Sequence, residues 1–599
     1  MPCADNVPFL FFIQQIMKAK VGLFYLALFG GLFAFLAYFN AYLYAGQEEV
    51  QAFVPSRAYL TEWLREPGGL LAVMGQWITQ YYLLPVFPFL VNGLLLTGVG
   101  FLTYCLLQKM ANRGYHLLLS LLPVFMLLKW QLRLDYVADG TIGLFLLLLT
   151  LTIGQNIKHF RWHLLFGVIS SLFIYGIMGQ WALLYGLLWA SLSLCSGDKL
   201  SKGADLLPLL LGGGLTYWVN SQALAVPLTD GIYSLRYQES QLQPDSLLHF
   251  VAIRFTFGFV LLFALSLLLR RLSTRKKAGR LISGGLSFLL AMGAVAHAWP
   301  TENDRQARWV DQLSYLARHE QWPQIVEAFE GKQIIGTMSM NYLNLALAHQ
   351  GKLGDCLFNY QQQGPQSLLA GWNRTYTMSV LLSDIHTAIG DRSLAESYAM
   401  EALTLARRGG SPRMLRRLAE INIEHGDQPL AAKYLNRLRL MPMYREWAEA
   451  TSCRLQSLQK PIPMAAGADS LLSAYSMERL WQLHEQETPF NQQAWTYQGC
   501  SLLLGKQMDA FQDYLVRTAD AASAAGLSLP RAFQEAAALL ASEGKALPES
   551  CLISQPVAER FVQFRQAVQT LRRDSNGAAK LYQHFGDTFW FYFYRRNEK

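Results

Sequence analysis

The sequence predicts an all-α protein in two parts: a polytopic transmembrane helical domain followed by a tetratricopeptide-like α-solenoid. Three observations predict it. Of 599 residues, 52% are hydrophobic and 16% charged, too apolar for a disordered chain. Long uncharged runs recur through residues 1–300. From about residue 302, charges appear every few residues and apolar residues recur at helical spacing. Length agrees, because single cores stop growing at roughly 250–300 residues. The expected domains are 1–300 and 301–599.

A helix needs about 20 apolar residues to cross the ~30 Å hydrocarbon core. Residues 21–47, 67–108, 140–157, 162–197, 206–229 and 281–301 carry no Asp, Glu, Lys or Arg. Residues 114–128 form a shorter run, and 246–269 carries only Arg254. As one helix, the run 162–197 would be roughly 54 Å long, so a hairpin turning near Gly176 to Gly179 is expected. About nine spans follow: 21–45, 83–107, 115–130, 141–157, 162–177, 180–196, 206–220, 247–269 and 281–299. The apolar run Val7 to Met17 precedes Lys18 and Lys20, the reverse of signal-peptide order, and is expected to be an interfacial helix.

The net charge of +9 sets the orientation. Residues 1–300 hold 20 Lys/Arg and 12 Asp/Glu, a balance of +8; residues 301–599 hold 31 and 30, a balance of +1. The basic excess lies in the apolar half, so it reads as topology and excludes a nucleic-acid partner. With the N-terminus cytoplasmic, the inner loops receive 14 of the 20 basic residues, including the cluster from Arg270 to Arg280. Nine of the twelve acids fall outside. An odd number of spans then makes the C-terminal half extracytoplasmic, in the periplasm of a bacterial inner-membrane protein.

The repeat reading rests on Gly351, Gly390, Gly426 and Gly505. Five residues after each stands a small residue: Cys356, Ala395, Ala431 or Ala510. Tyr360, Tyr398, Tyr434 and Tyr514 follow at eight or nine. A glycine turn, a small residue where helices approach and an aromatic across the pair is helix–turn–helix logic similar to the tetratricopeptide repeat. The alternative is an irregular α-bundle. A solenoid's concave face binds proteins or peptides. Gln459 to Gly467 reads as a linker. The aromatic end, Phe585 to Arg596, reads as a cap on the last repeat or on the membrane surface.

Seven cysteines are spread singly with no CxxC, and most are expected to be free. His159 and His163 have i, i+4 spacing without the Glu of HExxH, so no metal site is expected. No phosphate-binding glycine loop or nucleophile-elbow motif occurs.

The outer loops, 46–82, 129–140 and 221–246, hold the chemistry-bearing residues. Glu48 and Glu49 follow the first span. Residues 51–65 can form an amphipathic helix broken by Pro67-Gly68-Gly69. Leu70, Leu71, Met74, Trp77, Ile78 and Tyr81 then make an apolar stripe on a second, both lying flat in the interface. The next outer loop holds Lys129, Arg133, Asp135 and Asp139, the two acids at i, i+4 on one helix face. Arg254 sits about two turns inside a span, where a charge is costly and marks function. Each residue has a plainer role open to it. Glu48 and Glu49 can be a solvated helix end, Asp135 and Asp139 can cap a span or pair with Arg133, and Arg254 can snorkel.

This arrangement resembles the C-type membrane glycosyltransferases, which use polyprenyl-phosphate donors and in some members append tetratricopeptide repeats. Their first outer loop carries early acids and interfacial helices, and a second acid sits in the next outer loop. Arg65-Glu66-Pro67-Gly68-Gly69-Leu70-Leu71 also looks similar to bacterial multi-spanning proteins of unknown function. The resemblance implies Glu48, Glu49, Asp135 and Asp139 as catalytic acids, with Arg254, Arg133 and Lys129 binding the donor. Where protein O-mannosyltransferases have Asp-Glu, this chain has Glu48-Glu49. The implied function is sugar transfer from a polyprenyl-phosphate-sugar at the outer face, in contact with membrane lipid, with the repeats holding acceptor or partner. The alternative is a non-enzymatic, membrane-anchored repeat scaffold for envelope assembly. A transporter ranks last, because neither internal symmetry nor midplane charge stands out.

Overall fold

The computed structural model describes residues 7–65, 67–110, 113–134, 136–179, 181–195, 203–219, 221, 248–275, 277–332, 336–406, 410–457, 490–571 and 576–595. Among these residues every regular element is helical and no strand occurs. The chain is all-α. It forms two compact units. The first comprises Met1–Arg308, Arg407–Pro412 and Arg437–Ala448; the second comprises Trp309–Ala406, Arg413–Asn436 and Glu449–Lys599.

The helices of the first unit are α1 (Val7–Phe39), α2 (Ala41–Glu49), α3 (Arg57–Leu64), α4 (Gly69–Thr79), α5 (Phe87–Met110), α6 (His116–Leu119), α7 (Leu121–Gln131), α8 (Asp139–Gly154), α9 (Phe160–Met178), α10 (Trp181–Cys195), α11 (Leu207–Trp218), α12 (Leu248–Arg275) and α13 (Lys277–Ala298). The expected interfacial helix at Val7 to Met17 is continuous with the first apolar run in α1.

Among the described residues, four helical stretches are long and apolar enough to cross a membrane: Ala19–Phe39, Phe87–Met110, Phe160–Met178 and Ala278–Ala298. Nine were expected. Three further apolar helices, His116–Gln131, Asp139–Gly154 and Trp181–Ser193, are shorter. The 16 residues of α8 rise only ~24 Å, less than the hydrocarbon core. Helix α11 has 12 residues. An uncharged run in the sequence includes its flanking turns, so it overstates helix length. The hairpin in 162–197 does form. It breaks at Gly179, whose φ of +58° is left-handed, and α9 packs back on α10.

Leucine and aromatic side chains fill the interior of this unit, with Leu36, Leu96, Val99, Leu147, Tyr185 and Trp189 fully buried. Close approach rests on small residues. A Cβ on Gly212 would stand 2.9 Å from the Ala182 carbonyl oxygen, so α10 and α11 meet nearly backbone to backbone. Leu23, Leu26, Ile169, Phe173, Leu281 and Leu289 are exposed on α1, α9 and α13. Apolar surface on such helices suits contact with lipid.

The segment 46–82 is helical only in part. Residues 51–55 are not helical, and α3 begins after Pro55. Proline disfavours helix in the residue before it, and Ser56 caps α3 by accepting from the Tyr59 amide. Helix α4 follows Gly68, which lies in the left-handed region at φ +87°. Of the apolar stripe, Leu70, Met74, Ile78 and Tyr81 are half-buried. Leu71 is buried and α4 packs on α8 and α9, although Trp77 remains half exposed.

The second unit contains consecutive helices joined by left-handed turns. Gly351, Gly390 and Gly426 hold φ of +69°, +81° and +80°. The fourth turn departs from the expected register. Gly505 has φ −77°, and Lys506 takes the left-handed position at +54°. Counting from the left-handed residue, Tyr398, Tyr434 and Tyr514 each fall eight residues on. The shift leaves Ala510 exposed and puts Phe511 in the core. Ala395 and Ala431 are fully buried as expected. The expected linker Gln459 to Gly467 lies outside the described residues.

The aromatic end packs inward. Phe589, Trp590 and Phe591 are buried. Trp590 Nε1 donates to the Glu535 carbonyl at 2.6 Å, and the Phe589 amide donates to Glu535 Oε2 at 2.6 Å. Burial pushes the Glu535 carboxyl up, against the Arg531 charge and the Phe589 amide.

Candidate functional site

The first unit carries buried polar side chains where α4 packs on α2 and α8, with α5 and α7 contributing Asn92 and Gln131. Helix α2 ends in Gln47-Glu48-Glu49, and all three are buried, Glu48 to 1% and Glu49 to 6% exposure. They are not a solvated helix end. Two contacts hold α2 against the segment after α7. Gln47 Nε2 donates to the Arg133 carbonyl at 2.9 Å, and a Cβ on Gly46 would meet Leu134 Cδ1 at 2.7 Å.

Asp139 is the first residue of α8 and is 2% exposed. A carboxylate there faces the positive end of the helix dipole. Helix α4 presses on it, since a Cβ on Gly75 would stand 3.0 Å from the Asp139 amide nitrogen. The residues just before it, 136–138, are not helical. Residue Asp135 lies outside the described residues. The chain turns instead through Tyr136, whose hydroxyl pairs with Thr141 Oγ1 at 2.7 Å.

Amides and hydroxyls pair with one another. Gln131 Nε2 donates to Thr141 Oγ1 at 2.9 Å and to Asn92 Oδ1 at 3.3 Å. Asn92 Nδ2 donates to the Tyr82 hydroxyl at 2.9 Å. Tyr59 donates to Gln76 Oε1 and, at 3.2 Å, to the Ala52 carbonyl. Gln76 Nε2 and Gln131 Oε1, each on a side chain 1% exposed, have no hydrogen-bond partner among the described residues. Buried polar atoms are nearly always paired, so such atoms mark unused hydrogen-bonding capacity.

One buried partner has no signal in the local sequence. Tyr444, in the stretch Arg437–Ala448 of the same unit, donates its hydroxyl to Glu48, 2.9 Å from Oε1 and 3.1 Å from Oε2. Both residues are buried.

The expected cations divide. Lys129 pairs with Asp304 at 2.7 Å. Burial alone would raise the Asp304 carboxyl, but Lys129 and the Thr301 hydroxyl and amide hold it below the usual carboxylate range. Lys129 is thereby bound to a structural partner. The Arg133 side chain is exposed. Arg254 lies on α12, with its side chain outside the described residues. Arg308, not foreseen, donates to the Leu132 carbonyl beside Arg133.

His163 stacks on Trp189 with ring centroids 4.4 Å apart and contacts the Gly154 carbonyl at 3.0 Å. His159 is exposed at the cap of α9. Among the described residues, no group of three or more His, Cys, Asp or Glu is placed to hold a metal ion.

The profile of a family of unknown function, DUF6057, matches residues 16–596. The chain belongs to this family. No curated protein and no solved structure matches it. In this DUF6057 protein the match runs through both units, so the buried acids and the segment bearing Tyr444 lie within one family sequence.

Proposed function

We propose that this DUF6057 protein transfers a sugar from a polyprenyl-phosphate donor at the outer face of a membrane. The observation that carries the reading is the burial of Glu48, Glu49 and Asp139, three carboxylates of the first unit. A desolvated carboxylate beside amides is suited to take a proton from an acceptor hydroxyl, worth about 10²–10⁴-fold in rate. Arg133, and Arg254 from α12, are the cations for the departing lipid phosphate. Basic inner loops put the N-terminus in the cytoplasm and these acids outside. Helices α12 and α11 and the three shorter apolar helices bring the passes to nine, the short ones crossing where the bilayer thins to meet them. The helical second half then lies outside, with tetratricopeptide-like pairs that hold acceptor or partner.

The test is transfer of labelled sugar from a polyprenyl-phosphate donor by the full-length protein in lipid vesicles. Glu48→Gln, Glu49→Gln and Asp139→Asn are assayed separately. The expected outcome is a loss of at least about 100-fold in one or more, with unchanged yield of folded protein. Full activity in all three ends the proposal.

One observation favours the scaffold reading. The Tyr444 hydroxyl lies 2.9 and 3.1 Å from the two oxygens of buried Glu48, a contact that ties down the carboxylate. As an anchor, Glu48→Gln lowers the melting temperature and leaves no transfer activity to measure in any variant, wild type included.

A further inference from the structure

The second unit contains a cleft of about 760 Å³ that the transfer reading does not use. This volume falls within the ~300–1,000 Å³ typical of small-molecule sites. Its walls come from residues 358–365, 504–507 and 582–595. Three tyrosines, Tyr360, Tyr582 and Tyr592, present partly exposed rings, Tyr582 being 48% exposed. Gln361, Gln363 and Gln507 are exposed beside them, and their side-chain amides make no hydrogen bond to any described residue. Gln362 between them is different. Its amide is buried and spent on Asn344 and the Leu357 carbonyl, which fixes the strand of chain that carries its neighbours.

The charges argue against an ionic ligand. No carboxylate lines the cleft among the described residues. Lys506 Nζ donates to the Arg595 carbonyl at 2.7 Å and sits 5.3 Å from the Tyr592 ring centre. It is committed to closing the wall. Arg595 alone remains as a cation, and an anion site needs several converging donors. A peptide docked through its main chain would need an open strand edge or apolar side-chain pockets, and no strand occurs among the described residues. Ring faces next to uncommitted amides match a polyhydroxylated ring. Its C–H face packs on the aromatic face, and each amide offers two donors and an acceptor to neighbouring hydroxyls.

We propose that this cleft binds a short neutral oligosaccharide through Tyr582, Tyr360 and the amides of Gln361, Gln363 and Gln507. The proposal rests on residues separate from Glu48, Glu49 and Asp139 and holds with or without transfer activity.

The experiment uses the full-length protein in nanodiscs free of glycolipid and sugar detergent. Binding is read by saturation-transfer NMR and calorimetry with mannotriose, chitotriose and maltotriose. Glucuronate, inorganic phosphate and a tetra-alanine peptide serve as the other arms. At least one neutral trisaccharide is expected to bind with Kd on the order of 0.1–1 mM. Gln361→Ala with Gln363→Ala, and separately Tyr582→Ala, should each weaken it about tenfold or more. Gln555→Ala, at a residue outside the cleft, should not. No binding of any neutral trisaccharide at about 10 mM overturns the proposal, as does binding confined to the glucuronate, phosphate or peptide arms. Binding that the cleft variants leave unchanged, in protein with a wild-type melting curve, overturns it too.

Discussion

Tyr444 and Glu48 are 396 positions apart and both buried. A hydrogen bond to a charged group contributes about 1.5–3 kcal/mol. Tyr444→Phe removes the hydroxyl and keeps the ring, so it should destabilise the folded protein by about that amount in chemical denaturation. If Glu48 serves as the base, the same variant should also change the pH profile of transfer, whereas a purely structural role would leave that profile alone. No periodicity or spacing around either residue announces the contact, because sequence patterns report neighbours on one element and not pairs across the chain. By contrast, the interest of Glu48, Glu49 and Asp139 was legible, since each is a carboxylate at the end of an apolar run. Their burial was not legible. A second residue-scale prediction concerns Asp587. Burial would raise its carboxyl, but Arg531 and Arg560, at 2.9 and 2.6 Å, hold it below the usual range. A depressed native pKa gives stability that is fully present above the unfolded value of about 3.9 and is lost as pH falls through the native one. The melting temperature of wild type should therefore exceed that of Asp587→Asn at neutral pH. The gap should close below about pH 4. A constant gap down to strong acid would contradict the pairing.

At the scale of elements, α4 is the part the sequence described least well. Its apolar stripe was legible, but its packing on α8 and α9 was not. Gly75 has no side chain, so the α4 backbone comes up against the start of α8 at Asp139. Such an approach leaves no periodic trace, because the informative residue is the one without a side chain. Gly75→Leu must push the two helices apart. Overpacking of this kind costs about 1–3 kcal/mol, and the displaced Asp139 should cost transfer activity beyond the loss of folded protein. Gly22→Ala on α1 is the matched control, since a Cβ there meets nothing within 4 Å. It should be neutral or stabilising by about 0.5–1 kcal/mol. Equal behaviour of the two variants would mean that α4 does not set the position of Asp139. The fourth turn of the second unit teaches a related lesson. Gly505 looked like the turn residue because glycine favours left-handed backbone, but Lys506 takes that role and moves the next helix by one position. The Tyr514 spacing carried the correct register, and the glycine did not.

At the scale of the whole molecule, the all-helical class and the membrane character followed from composition and run length alone. The number of crossings did not, because charge-free sequence continues through turns that helices do not. Parity decides which side of the membrane the second half occupies, so orientation needs a direct probe, and the cysteines supply one. Cys453 is exposed, Cys500 is buried, and Cys105, Cys356 and Cys551 are half-buried. Burial also pushes the Cys551 thiol up to about 11 and the Cys500 thiol higher, which slows their reaction with maleimides at neutral pH. Among the described cysteines Cys453 is therefore the preferred target of a membrane-impermeant maleimide, and Cys3 and Cys195 are replaced by Ser for the experiment. An odd number of crossings with a cytoplasmic N-terminus predicts that Cys453 is labelled from the extracytoplasmic side of sealed membranes, and that Cys453→Ser removes the signal. Labelling only after the membrane is opened would put the second half in the cytoplasm. It would also place the Tyr444 segment on the inner side, so the buried acids could no longer be reached by a donor at the outer face.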